Sequence, residues 1–197
     1  MSNIKLIDNC EILNVESKGK LMWMTLKNVK NNHIYLSSHL GLSGEWNFEK
    51  NKSDRIRITI KNNDKVLCFN DSRNFGNIEI YDTNELDKLQ KKINELAPDA
   101  LQTEFTDENF QNMVNEYLKK SNKRNDQLIF KVLMNQTKKD GIVSGLGNYL
   151  TPEILYDSKI SPFRKIGDLN KKEITKLSNS IKYMIKLSYY NNVTGYM

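Results

Sequence analysis

The stretch Gly145-Leu146-Gly147-Asn148-Tyr149-Leu150-Thr151-Pro152-Glu153-Ile154-Leu155 decides how the second half of this chain folds. Gly145 and Gly147 allow a tight turn with positive φ and a close backbone approach to a ligand, and Asn148 is of a type that caps helices. The apolar residues that follow suit an amphipathic helix. A helix opened in this way presents unpaired N–H groups and the positive end of its dipole, which favour a phosphate. An ordinary helix start has the same ingredients, so the rest of the chain must decide.

Outward from that turn the spacing is helical back to about residue 82. Leu86, Leu89, Ile93 and Leu96 form one stripe, Phe110, Met113, Val114, Tyr117 and Leu118 a second, and Leu128, Val132 and Leu133 a third. Thr106-Asp107-Glu108 supplies an N-cap and an acidic first turn, and a last helix over about 170–190 buries Ile174, Leu177, Ile181 and Met184 or Ile185. Ahead of residue 82 the pattern has period two. Val15, Leu21, Trp23 and Thr25 share one parity and Met22, Met24 and Leu26 the other. His33 to Leu40, Arg55 to Ile60 and Lys65 to Phe69 continue the alternation between polar turns, with Asn62-Asn63-Asp64 as a hairpin tip. The expected class is α+β: an antiparallel β-sandwich over 1–82, connecting helices over 83–126, and a helical domain over 127–197, with the polar run Lys119 to Asp126 as the linker.

Composition bounds the partners. Thirty Lys and Arg against 24 Asp and Glu give a net charge of +6, which attracts a polyanion and makes such binding salt-sensitive. Two cysteines, Cys10 and Cys68, lie far apart among apolar neighbours, as reduced thiols do, and they are too few for a four-thiolate zinc site. With no apolar run of membrane-spanning length and no signal-peptide pattern, the expectation is a soluble, intracellular protein without a membrane partner.

Five segments, in order, resemble those of the endonuclease VIII and formamidopyrimidine-DNA glycosylase family. Val15-Glu16-Ser17-Lys18-Gly19-Lys20 is similar to the strand entry carrying the family's active-site lysine, here Lys20. His39-Leu40-Gly41-Leu42-Ser43-Gly44 resembles the loop whose apolar residue, here Leu42, fills the gap left by an extruded base. Asp71-Ser72-Arg73-Asn74-Phe75-Gly76 resembles the loop whose Arg and Phe complete that plug and meet the orphaned partner base. Leu96-Ala97-Pro98-Asp99 is similar to the family's Leu-Gly-Pro-Asp turn, and the glycine turn with Asn148 resembles the heart of the helix-two-turn-helix motif. The strings around Lys20 and Asn148 lean toward endonuclease VIII and Phe75 toward the formamidopyrimidine type, and the resemblance on balance favours endonuclease VIII.

The resemblance implies base-excision repair of oxidised bases by a bifunctional glycosylase and AP lyase, acting on damaged or abasic duplex DNA as a monomer. Lys20 would then donate a proton beside the abasic sugar, while Arg55, Lys131, Gly147 and Asn148 contact the DNA backbone. His39 orders its loop and has no catalytic role. The family's nucleophile is an N-terminal proline amine followed by Glu, and this chain opens Met1-Ser2-Asn3-Ile4. The expectation is a family member truncated at both ends, without the zinc finger and without a cofactor. A homologue that binds damaged DNA but does not cut it, and an RNA-binding or structural module, are the alternatives.

Overall fold

A computed structural model describes residues 10–60, 65–101 and 105–194, which form two compact units dividing between Lys91 and Lys92. The first unit is a two-sheet sandwich. Strands β1 (Glu11–Lys18), β2 (Leu21–Lys27), β3 (His33–His39) and β7 (Asn77–Tyr81) form an antiparallel sheet in the order β1-β2-β3-β7. Strands β4 (Glu45–Asn47), β5 (Asp54–Ile60) and β6 (Lys65–Asn70) form the second, with β6 central. The alternation in the sequence is satisfied by burying Met24, Leu26, Ile34 and Leu36 on the inner face of the first sheet, against Trp46, Ile58 and Leu67 of the second and Ile78 and Ile80 of β7. The hairpin tip expected at Asn62-Asn63-Asp64 lies outside the described residues, although β5 and β6 do pair antiparallel up to it.

Helix α1 (Leu86–Glu95) leaves the sandwich after Asp82, whose carboxylate accepts hydrogen bonds from the N–H groups of Asn84 and Glu85. The second unit holds α2 (Asp107–Lys119), α3 (Ile129–Met134), α4 (Leu150–Asp157) and α5 (Lys171–Thr194). Thr106 caps α2 by accepting from Asn109 N–H, as its sequence signature predicts. The core joins Phe110, Val114 and Tyr117 of α2, Ile154 and Leu155 of α4, and Ile174, Leu177, Ile181 and Ile185 of α5. Ile185 takes the buried position of the last stripe and Met184 packs beside it.

The polar run Lys119 to Asp126 is not the boundary expected from composition. It lies inside the second unit as a 3-10 turn, Asn122–Arg124, with the Arg124 guanidinium over the Tyr117 ring at 4.9 Å and on the Asp140 carboxylate at 2.7 Å. Charged residues can order a segment when their partners are supplied from elsewhere in the chain, which composition does not register. Among the described residues no helix is long and apolar enough to cross a membrane.

Candidate nucleic-acid interface

Strand register brings the candidate residues of the first unit to one end of the sandwich. Leu21 pairs with His39, and His39 with Asn77. The β1–β2 turn with Lys20, the loop 40–44 and the loop 71–76 therefore emerge side by side, across two strand spacings or roughly 10 Å. In the other sheet Glu45 and Asp54 both pair with Asn70, so the two loops are the crossovers between the sheets at this end.

Their contact is close. Gly41 adopts φ +64°, and a Cβ there would stand 2.6 Å from the Phe75 carbonyl carbon, so only glycine lets the loops meet. Asp71, buried at the foot of the second loop, binds both: its carboxylate accepts from the Ser43 hydroxyl at 2.9 Å and from Gly76 N–H at 2.7 Å. His39 Nδ1 accepts from Gly41 N–H at 3.1 Å, the ordering role expected of it.

On this fixed base two large apolar side chains point outward. Leu42 is 71% exposed and Phe75 60%, which removes the alternative that either is a core contact. Arg73 stands between them in sequence, its side chain exposed and without a hydrogen-bond or ion-pair partner among the described residues. Arg55 is the extra residue of a β-bulge at the start of β5, where Asp54 pairs with Asn70 and Ile56 with Phe69, and it too is exposed. Lys20 is an exposed turn residue rather than a strand residue; partial burial by the surrounding protein lowers its ammonium pKa from the ordinary lysine value.

In the second unit the connector between α3 and α4 is held by Gln136, which the sequence reading missed. Its amide Nε2 donates to the carbonyls of Met134 and Leu146, and its Oε1 accepts from Gly145 N–H at 2.8 Å. Gly145 has φ +98°, as expected, but Gly147 is not among the positive-φ glycines. Asn148 is not the cap either. Tyr149 occupies that position already in helical conformation, and α4 has no side-chain cap hydrogen bond. The turn runs straight into the helix, with Thr151 N–H donating to the Gly147 carbonyl at 3.0 Å, which leaves Asn148 exposed and its amide free for a ligand. Lys131, on α3, is also exposed and lines a polar cavity of about 410 Å³ with Tyr117, Arg124, Gln127, Asn135 and Asp140.

The Leu96-Ala97-Pro98-Asp99 segment packs onto this connector. Ala97 N–H donates to the Gln136 carbonyl and Ser144 N–H to the Pro98 carbonyl, each at 2.8 Å. No group of three or more His, Cys, Asp or Glu side chains that could hold a metal occurs among the described residues.

Comparison with known proteins follows the same division. A family model described as the formamidopyrimidine-DNA glycosylase N-terminal domain matches residues 2–78, and one described as the formamidopyrimidine-DNA glycosylase H2TH domain matches residues 96–194. The chain is 31% identical over 202 residues to the formamidopyrimidine-DNA glycosylase of Prochlorococcus marinus (strain MIT 9301), covering 94% of this chain and 65% of that one. It is 33% identical over 184 residues to that of Rickettsia bellii (strain OSU 85-389), covering 91% and 60%. Among solved structures, the MutM (Fpg) protein from Thermus thermophilus matches with a TM-score of 0.73 at 22% identity, over 95% of this chain and 64% of that one. The Lactococcus lactis formamidopyrimidine-DNA glycosylase, solved non-covalently bound to DNA containing an AP site, matches with a TM-score of 0.72 at 22% identity, over 92% and 64%. The chain thus spans less than two thirds of the length of these relatives, whose names carry the formamidopyrimidine type rather than endonuclease VIII. By both domain matches and by the sandwich and helical units that underlie them, this chain belongs to the formamidopyrimidine-DNA glycosylase and endonuclease VIII family.

Proposed function

We propose that this chain grips damaged duplex DNA and holds a nucleotide out of the stack, as part of a base-excision repair glycosylase with AP-lyase activity on oxidised bases. The observation that carries the reading is the convergence of Lys20, Leu42, Arg73 and Phe75 at one end of the sandwich, with two bulky apolar side chains exposed on loops that Asp71 fixes. Extruding a base costs a few kcal/mol, and an apolar plug in the vacated space offsets part of that cost. Leu42 and Phe75 supply the plug, and Arg73 supplies donors to the widowed base. Arg55, Lys131 and the turn at Gly147 and Asn148 contact phosphates, the last through the free N–H groups at the start of α4.

In the chemistry proposed, an amine attacks C1′ of the extruded nucleotide, the base leaves, and the strand breaks by elimination at the 3′ phosphate. Lys20 acts beside the sugar as proton donor, and its lowered pKa makes it a stronger acid than a solvated lysine. A second reading, a homologue that binds damaged DNA without cutting it, rests on the same exposed loop residues and the same turn and differs only in the chemistry.

Binding and trapping separate the two. Fluorescence anisotropy should show the chain binding abasic duplex, and Asn148→Ala should weaken that binding by roughly 1–3 kcal/mol through a lost buried contact. Borohydride should trap a covalent complex with a form that begins Pro-Glu and not with these 197 residues. Trapping by the 197 residues would assign the attack to another amine, and absence of binding to abasic duplex would overturn the proposal.

A further inference from the structure

Two charged features of the sequence, the run 119–126 and the turn Thr137-Lys138-Lys139-Asp140, have no part in the reading above, and the second unit brings them together. Between residues 116 and 140 seven Lys and Arg stand against three acids, so four of the chain's six net positive charges lie here. Lys120 Nζ donates to the Lys138 carbonyl, and Arg124 Nη2 donates to the Lys139 carbonyl at 3.0 Å. The turn itself is fixed. Asn135 Oδ1 accepts from both the N–H and the hydroxyl of Thr137, the Thr137 carbonyl accepts from the N–H groups of Asp140 and Gly141, and Lys138 N–H donates to the Glu95 carbonyl at 2.8 Å.

The acids of the segment are already engaged: Glu116 with Lys119, Asp126 with Lys165 and Asp140 with Arg124, each at 2.7 Å. Lys123, Lys138 and Lys139 are exposed and have no carboxylate partner among the described residues, and Lys120 donates to a carbonyl and lies over the Tyr117 ring, with no ion pair of its own among them. Crowding cations on a pinned turn is unfavourable in the free protein through self-repulsion, and a polyanion relieves it. The same connector that begins in this turn ends in Gly147 and Asn148, so one ordered segment carries both features.

We propose that Lys120, Lys123, Lys138 and Lys139 form a second backbone-binding site for duplex DNA, separate from the Asn148 turn, that engages backbone phosphates. The inference rests on the reading under Proposed function. Ammonium groups without neighbouring base-reading side chains position a duplex and carry no sequence preference. Each lysine that neutralises a phosphate contributes roughly 0.9 to the slope of log affinity against log salt.

The test is the salt dependence of binding by the full chain to an abasic duplex and to an undamaged duplex of the same length, compared with Lys138→Gln/Lys139→Gln, Lys138→Arg/Lys139→Arg and Asn148→Ala. The glutamine pair should lower the slope by roughly 1.8 on both duplexes, so that between about 50 and 200 mM salt it loses about twelvefold less affinity than the parent. The arginine pair should keep the parental slope. A glutamine pair with the parental slope, or an arginine pair that loses it, would overturn the second site and leave the Asn148 reading standing if Asn148→Ala still weakens binding. No DNA binding by the parent chain would overturn both.

Discussion

A carboxylate as deeply buried as Asp71 ordinarily resists ionisation, because burial disfavours the charged form. Burial is indeed the largest influence here, but it is outweighed by hydrogen bonds from Gly76 N–H, the Ser43 hydroxyl and the N–H groups of Arg73 and Asn74, which together hold the carboxyl below its usual value. The folded pKa then lies below the unfolded one. The stability Asp71 contributes is complete above the unfolded value near about 4 and is lost as pH falls through the folded value. The melting temperature should therefore drop as pH is lowered below about 4, and Asp71→Asn should flatten that drop while lowering the melting temperature at neutral pH. A variant whose pH profile overlays the parent's would show that the two loops are held by something else. The loop residues themselves were legible in the sequence because short motifs name them. Asp71 lies in the same motif, but nothing in the string reveals that one carboxylate bonds to both loops.

Among the elements, the strands and long helices follow their periodicity. Thr106 caps α2, and Ile174, Leu177 and Ile181 line the buried face of α5, because these depend on residues close in sequence. What escaped the sequence reading is the connector between α3 and α4. Its order comes from a side-chain amide that bonds to carbonyls and an N–H up to ten residues away, and a lone glutamine carries no spacing signature. For the same reason Asn148 reads as a cap although Tyr149 takes the cap position of α4 and makes no side-chain cap hydrogen bond. Gln136→Ala removes three hydrogen bonds and leaves the Leu146 carbonyl and Gly145 N–H to find other partners. Urea unfolding should show a loss of about 1–3 kcal/mol, and the variant should bind abasic duplex more weakly than the parent even where both are fully folded. Equal stability would mean that the turn holds its shape from glycine conformation and packing alone.

For the molecule as a whole, the proposed function assigns complementary parts of one task to two units built by different rules. The sandwich presents exposed Leu42 and Phe75 at the end of a sheet, and the helical unit presents exposed Asn148 and Lys131 beside a helix start without a side-chain cap. The domain boundary assigned by composition falls short of this division, because α1 begins with the sandwich and the polar run after α2 is packed inside the helical unit. On the proposed function the two units are separable by what they recognise. An apolar plug senses a vacancy in the stack, whereas phosphate contacts do not distinguish damaged from intact duplex.

The most direct test is the ratio of affinities for an abasic duplex and an undamaged duplex of the same sequence, measured for the parent chain, for Leu42→Ala/Phe75→Ala and for Asn148→Ala. The account predicts that the parent prefers the abasic duplex, that the double variant loses most of that preference while keeping its affinity for undamaged duplex, and that Asn148→Ala weakens both equally. A parent chain that binds the two duplexes alike, or a double variant that weakens both by the same factor, would contradict it.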